Sequence, residues 1–500
     1  MSMYDEPITE TSSKRAKTGQ YVTNGIKRSM RTPTERVIEA LFSESVMAKL
    51  WNVASRALRS VGHSKKAIFD WFQKLTQFQS KPPVLYPEYT GEDGATYVYR
   101  SLDFWTSGFF PGSLYLIHER QMKYPQAINH QNRLHFLQLA HLCRWWTASL
   151  HQNALRRDTH DLGFMIAPWA MQAWNIYRDP AAYNTLIMAA HSLASRFNAN
   201  TKCLRSWDVC ITSRYSFTDP SQDFLVIIDN MLNLDLLFWA AHETSNKSLY
   251  RIALAHALTT QKTHIRPDNT TFHVVNFDAE TGNIKAKFTN QGYNDDSCWA
   301  RGQAWGILGF MQTFEWTANS SFLDTAKNLA DFFISNLPAD GVPYWDFGAP
   351  VTASSPRDTS AAMIAACGML RIYKALRNSS EADHYLSEAI HIVDSTVTKF
   401  LNPPTFRFQS TQHTSRVSTF QADDIDDKYG DGFDILSIVD VSDSKSHDTI
   451  LDGATINNYE FAPRRWSNHG LVYADYYFLL FGNMLLELDV IDTPQFSTCH

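Results

Sequence analysis

The chain has 500 residues, 44% hydrophobic and 19% charged, which gives a globular protein of one large domain or of two to three ordinary ones and excludes a disordered chain. Lys plus Arg number 45 against 51 Asp plus Glu, a net charge of −6 without a long basic run, which argues against nucleic-acid binding. Phe 31, Tyr 21 and Trp 14 form a large aromatic complement. Such rings fill cores and also stack on sugar faces in carbohydrate sites.

Residues 1–35 are polar, rich in Ser and Thr, and contain no apolar stretch long enough for a signal-peptide core. They are expected to be a disordered tail outside the fold, with Lys14-Arg15-Ala16-Lys17 either a nuclear signal or simply solvated charge. The rest, 36–500, is expected to be a single domain. Nowhere do 18 apolar residues run together, so no membrane span is expected. Cys143, Cys203, Cys210, Cys298, Cys367 and Cys499 form no CxxC pair, which suits reduced, buried thiols and a cytoplasmic location.

Apolar residues at three- and four-residue spacing predict helices over 36–60, 65–79, 111–124, 131–152, 162–178, 181–197, 222–244, 246–263, 299–317, 322–336, 358–377, 381–400 and 467–488. Several fall into tandem pairs with short polar turns, such as 162–178 with 181–197 and 358–377 with 381–400. In the pair 222–244 and 246–263 the first member is apolar nearly all round and the second carries Lys247, Arg251 and Gln261. That contrast predicts inner and outer helices, in an all-α barrel or in an open solenoid. The segments 266–297 and 402–465 hold Gly, Asp and β-branched residues, and are expected as hairpins or loops over one mouth. The run Asp423-Asp424-Ile425-Asp426-Asp427 lacks the spacing of a calcium loop and is taken as solvated surface.

The sequence contains no GxxxxGK[ST], HExxH or GxSxG, and no GxGxxG follows a strand, which leaves nucleotide, zinc-protease and serine-hydrolase chemistry unsupported. Carboxylates, histidines and aromatic rings near helix ends remain. Trp105 stands in a tight Thr-Ser-Gly loop before a helix, where it is either presented at an edge or buried as core. Asp161, in His160-Asp161-Leu162-Gly163-Phe164, precedes a helical run, and helix capping alone accounts for an Asp there. Asp229 is more telling, because it lies inside Phe224–Trp239 among apolar neighbours, with Asn233 four residues on. Ionising an unpaired carboxyl there costs roughly several kcal/mol, so its pKa rises toward the range a general acid needs, unless an Arg or backbone groups hold it. The densest segment, His273 to Trp305, places Trp299, Arg301, Gln303 and Trp305 in alternation near Gln291. Rings, a guanidinium and amides suit an acidic sugar.

These residues carry a resemblance. Trp105-Thr106-Ser107-Gly108-Phe109, His160-Asp161-Leu162-Gly163-Phe164, Ile227-Ile228-Asp229-Asn230-Met231, His273-Val274-Val275 and Thr289-Asn290-Gln291-Gly292-Tyr293 follow in order. Trp299-Ala300-Arg301-Gly302-Gln303-Ala304-Trp305, Pro343-Tyr344-Trp345-Asp346-Phe347, Arg357-Asp358-Thr359-Ser360-Ala361 and Tyr473-Ala474-Asp475-Tyr476-Tyr477-Phe478 complete the set. Over about residues 100 to 480 the chain resembles the unsaturated glucuronyl hydrolases of glycoside hydrolase family 88. The resemblance implies an (α/α)6 barrel and no metal or organic cofactor. It implies substrates that are unsaturated uronate-containing oligosaccharides; from charge and hydropathy no nucleic-acid or membrane partner is expected, and the chain is expected to be a monomer or weak homo-oligomer. It also implies catalytic roles for Asp229, as general acid and base, and for Asp161, with substrate-binding positions at Trp105, His273, Thr289, Gln291, Trp299, Arg301 and Trp305. Arg301 is expected to meet a uronate carboxylate or a sulfate, and Trp299 and Trp305 to wall the sugar. The alternatives are an unsaturated rhamnogalacturonyl hydrolase of the same fold and a silent helical toroid that binds acidic glycans. The tail, much of 402–445, and Asp452 within 451–458 depart from the family pattern.

Overall fold

The computed structural model describes residues 31–60, 81–128, 134–411, 435–442 and 445–491. The helix expected over 65–79, the basic cluster 14–17, the acidic run 423–427 and Cys499 lie outside the described residues. The described residues from Pro33 on gather into one compact unit.

The helices in chain order are α1 (Pro33–Leu41), α2 (Glu44–Ser60), α3 (Phe109–Lys123), α4 (Phe136–Thr147), α5 (Leu162–Tyr177) and α6 (Pro180–Ala194). They continue with α7 (Asn230–Thr244), α8 (Lys247–His264), α9 (Ala300–Thr317), α10 (Ser320–Ser335), α11 (Thr359–Leu376), α12 (Ala382–Phe400) and α13 (Val472–Leu488). Among the described residues six helices, α3, α5, α7, α9, α11 and α13, pack each on the next, and α13 returns to α3. The ring is therefore closed. This is an (α/α)6 barrel and not an open solenoid.

Burial separates the two rings as the apolar patterning predicts. Every residue of α11 from Thr359 to Leu370 is buried, whereas α12 buries one stripe (Tyr385, Ala389, Ile392, Val393, Val397). Helices α4, α6, α8, α10 and α12 flank inner partners from outside, and the N-terminal α1 packs on α12 and α13. Three hairpins turn in the same way. The inner helix ends on a left-handed residue (Arg178, Ser245 or Ala318), and the next residue caps the outer helix. Asp179, Asn246 and Asn319 each accept backbone N–H groups of that helix. A left-handed non-glycine residue costs roughly 1–2 kcal/mol, and the cap on the following residue offsets about 1 kcal/mol of it.

The structure corrects several sequence boundaries. Helix α1 begins at Pro33, so 33–35 belong to the fold and not to the tail, and 36–60 is two helices broken at Phe42-Ser43. Over 131–152 the α-helix spans only Phe136–Thr147, followed by a 3-10 turn over Leu150–Leu155. The largest change is at 222–229. Asp223–Ile227 is a strand, paired antiparallel with Val274–Asp278, which in turn pairs with Ile284–Phe288. An apolar run buried on all sides reads the same in either state, and the β-branched Val226 and Ile227 favour the strand. The hairpins expected in 266–297 and 402–465 are present, the latter as Phe406–Thr411 with Ile435–Asp440. The strand pair Leu85–Thr90 with Tyr97–Ser101 has no counterpart in the sequence reading.

Candidate active site

The inner helices all enter the barrel at one mouth, where Asp161, Asp229, Trp299 and Arg301 sit at helix starts, while His273, Thr289 and Gln291 come from the strand hairpin before α9 and the loop that follows it. Asp161 occupies the N-cap position of α5, Asp229 that of α7, Trp299 that of α9 and Asp358 that of α11. Trp105 comes just before α3 and Tyr473 opens α13. Ring contacts link these ends: Trp105 meets Phe164 at 5.6 Å and Tyr473 at 5.1 Å, and Phe164 meets Trp305 at 5.1 Å. Positions roughly 60 residues apart in sequence are thus brought to one floor.

Asp229 owes its setting to the strand before it. The Asp223–Ile227 ladder continues with Ile228 N donating to His273 O at 3.0 Å, which sets His273 across from Asp229. The Asp229 side chain is 13% exposed, its Oδ2 has no hydrogen-bond partner, and His273 Nε2 lies 4.0 Å away. Burial pushes the carboxyl up to about 7, and the charge of Asp161 adds to that rise. Arg301, its own backbone N–H and the Trp305 indole act in the opposite direction. Asn233, expected on the same face, turns instead to α5 and accepts Phe164 N at 3.2 Å.

His273 is buried, and burial with Arg301 drives its pKa down to about 3, so the ring is neutral. Its Nδ1 accepts Asn290 N at 3.2 Å, with Thr289 Oγ1 at 3.4 Å. The ring hydrogen therefore lies on Nε2 and faces Asp229. Thr289 itself is buried, its Oγ1 accepting Gly292 N at 2.8 Å, so it shapes the loop behind His273.

Asp161 is 18% exposed and makes no capping bond with its side chain. Thr159 Oγ1 donates to Oδ2 at 2.9 Å and His160 Nε2 lies 3.2 Å from Oδ1. Helices α5 and α7 approach so closely at Gly163 that a Cβ there would lie 2.5 Å from Asn233 Oδ1 and 2.7 Å from its Cα. That approach holds the two carboxyl-bearing ends together.

Arg301 departs from the sequence expectation. It is buried, Nη1 donates to Asp358 Oδ2 at 2.8 Å and to Thr455 O, and Nη2 donates to Ile456 O. A guanidinium held by a buried carboxylate and two carbonyls clamps the 455–456 loop to the start of α9. Gln291 joins the same clamp, its Nε2 donating to Ile456 O at 2.9 Å. The rings differ from expectation too. Trp299 and Trp305 are buried, Trp299 lying between His273 (4.5 Å) and the Arg301 guanidinium (4.6 Å). Trp105 is half-buried and remains the accessible ring of the predicted set.

Two residues missed in the sequence join the site. Trp207, half-buried, meets the His273 ring edge-on at 5.9 Å. It reaches that place through a loop bridged to Leu225, and no local signal marks it. Tyr473, whose buried hydroxyl has no partner, packs on Trp105 and under Arg301. Its place in the Tyr-Ala-Asp-Tyr-Tyr-Phe run was the available signal. Among the described residues no group of three or more His, Cys, Asp or Glu is arranged to hold a metal ion, and no helix is long and apolar enough to cross a membrane.

A closed ring of helical hairpins with two carboxyls at its N-terminal mouth defines the class: an (α/α)-barrel glycoside hydrolase. The chain matches no protein-family model. It is 36% identical over 296 residues to an unsaturated glucuronyl hydrolase of Formosa agariphila, covering 58% of this chain and 68% of that one. It is 35% identical over 311 residues to an unsaturated glucuronyl hydrolase of Bacillus sp. strain GL1, covering 61% and 76%. A crystal structure of an unsaturated glucuronyl hydrolase specific for heparin superposes with a TM-score of 0.67 at 25% identity, over 91% of this chain and 99% of that one. The chain belongs to the unsaturated glucuronyl hydrolases.

Proposed function

We propose that the protein removes the Δ4,5-unsaturated uronic acid from the non-reducing end of short, lyase-generated oligosaccharides by hydrating its double bond. Asp229 in its acid form gives a proton to C4, and positive charge spreads over C5 and the ring oxygen. The Asp229 carboxylate then takes a proton from the water that adds at C5. The hemiketal so formed opens and releases the rest of the sugar chain. Attack at the anomeric carbon is not involved, so the carboxylate-separation rule for retaining and inverting enzymes does not govern the outcome.

The observation that carries this reading is the Asp229 carboxyl itself: desolvated, with an unpartnered Oδ2 beside the Nε2–H of neutral His273. A carboxyl held near neutrality both gives and recovers a proton at the pH of the cell. Asp161 holds sugar hydroxyls and supports the cation, His273 steadies the Asp229 carboxylate after proton transfer, and Trp105 with Trp207 flanks the sugar. Arg301, Gln291 and Thr289 keep the surrounding loops in place. The five cysteines among the described residues are buried and form no disulfide, which fits action in the cytoplasm.

The test follows near-UV absorbance of the conjugated double bond in unsaturated disaccharides from chondroitin, hyaluronan, heparin and pectin. Loss of absorbance with the wild type and not with Asp229→Asn is expected. Folded wild type that leaves all of them intact overturns the reading.

A further inference from the structure

The lumen of the barrel continues beyond the floor of the catalytic mouth. A cavity of about 190 Å³ runs along α5 from Gly163 and Phe164 in its first turn to Asn175 in its last. From Phe164 to Asn175 the helix rises about 16 Å, so the cavity reaches the end of the barrel opposite Asp161 and Asp229. Phe164 and Tyr477 bound it on the catalytic side, where Phe164 meets Trp105 and Trp305 and Tyr477 meets Trp305 at 5.6 Å. Asp161, Asp229 and His273 do not line it. Its walls change character along the axis. Ala167, Pro168, Leu232 and Leu308 make the inner part apolar, and further out four inner helices contribute polar side chains. These are Gln172 from α5, Asp235 from α7, Gln312 from α9 and Arg371 from α11.

Three of the four carry a buried atom with no hydrogen-bond partner in the protein: Gln172 Oε1, Gln312 Oε1 and Arg371 Nε. Asp235 accepts Trp316 Nε1 at 2.6 Å and, more weakly, Gln312 Nε2 at 3.4 Å. Arg371 donates to Glu315 at the outer edge, and its charge and that of Asp235 favour each other. Buried polar groups are nearly always paired, so leftover acceptors and a leftover donor on three different helices mark a place suited to a hydrogen-bonding guest. With Arg371 and Asp235 offsetting each other, that guest needs no charge of its own. Hydroxyl groups both donate and accept, which answers acceptors and donor alike. The volume equals roughly six waters, the room of one sugar ring, and Phe164, Tyr476 and Tyr477 supply aromatic walls. We propose that this distal lumen is a second binding site, for one neutral polyhydroxylated molecule of monosaccharide size, held by Gln172, Asp235, Gln312 and Arg371. The site stands apart from the hydration reaction and does not depend on it.

Calorimetric titration of the full chain with glucose and N-acetylglucosamine, and with glucuronate as the charged comparison, tests this. The neutral sugars are expected to bind with a Kd of about 1 mM or tighter, and about tenfold more tightly than glucuronate. Met171→Trp fills the cavity beside Gln172 and is expected to abolish that binding. Gln312→Leu keeps the volume, removes an acceptor and is expected to weaken it about tenfold. Trp105→Ala, at the catalytic mouth, is expected to bind the neutral sugars as wild type does. Circular dichroism establishes that each variant is folded, and Gln312→Leu serves if Met171→Trp does not fold. Loss of binding in Trp105→Ala with retention in the lumen variants assigns the sugar to the catalytic mouth and overturns the proposal. Wild type that binds neither neutral sugar overturns it as well, as does a crystal structure in saturating sugar with ordered water alone in the lumen. None of these readouts needs turnover, so a failure of the proposed hydration, seen in near-UV absorbance, is separate from a failure of this site.

Discussion

Arg301 and Asp358 meet at 2.8 Å between Nη1 and Oδ2, with 1% and 0% of their side chains exposed. Asp358 also accepts Ser360 N and Ala361 N through Oδ1, so one carboxyl caps α11 and anchors the first turn of α9. The 455–456 carbonyls complete the cage around the guanidinium. Removing one member leaves the other buried and unpaired. Arg301→Met is expected to lower stability by about 3–5 kcal/mol, read as a drop in the urea midpoint, and to cost activity by loosening the loop over the site. Asp358→Asn, which keeps a cap acceptor, is expected to cost less than Arg301→Met. A reversed order would show that the pair does not clamp the loop.

Asp229 predicts the pH dependence. With the acid form required and the carboxyl at about 7, kcat/KM is expected to be halved near neutral pH and to fall about tenfold per unit above it. The stability consequence has the same sign. The folded value lies above the ordinary 3.8, so the contribution is complete below about pH 4 and is lost as pH rises through about 7, by at most about 4 kcal/mol. Asp475, which is buried, accepts Ile450 N and Leu451 N, and is raised to about 7, adds a loss in the same window. Asp229→Asn is therefore expected to abolish activity yet to lose less stability than wild type between pH 5 and pH 8. Thermal midpoints of both proteins across that range check it, and parallel curves would argue against a neutral Asp229.

The barrel is legible in the sequence because its inner helices cannot hide their composition: α11 is buried from Thr359 to Leu370, and only an enclosed helix tolerates such a run. Ring closure is not, since the contact of α13 with α3 joins segments hundreds of residues apart. Asp229 stands out as a carboxyl in an apolar stretch, although the stretch is a strand and not the start of the helix. The reach of Arg301 is hidden for the same reason as ring closure, because its partners lie at 358 and 455–456. Which rings meet solvent is decided by tertiary packing, so Trp299 and Trp305 read as sugar walls while Trp207 passed unnoticed.

Gly163 tests the spacing of the two carboxyls. A Cβ at this position would press on both the side chain and the Cα of Asn233, so α5 and α7 must separate for Ala to fit. Gly163→Ala is expected to destabilise by about 1–3 kcal/mol through overpacking. Because Asp161 and Asp229 sit at the ends of those two helices, kcat is expected to fall by about 100-fold through misplacement even where the fold survives. Denaturation midpoints and kcat measured together check this, and full activity in a destabilised variant would break the link between helix spacing and chemistry.

In the proposed mechanism His273 serves the Asp229 carboxyl that it faces. Its Nε2–H faces the unpartnered Oδ2 at 4.0 Å, and Nδ1 is fixed by Asn290 N. A donor at this place suits the carboxylate that the proposed proton transfer leaves behind. His273→Gln places an amide N–H at a similar reach and is expected to retain part of the rate. His273→Phe fills the space without a donor and is expected to lose about 10²–10³ in kcat, the range seen when one preorganised donor to a developing charge is removed. Without that hydrogen the carboxylate form is less favoured, so the alkaline limb of the Phe variant is expected above that of wild type. Equal rates for the Gln and Phe variants would mean that the ring acts by packing under Trp299 and Trp207 alone.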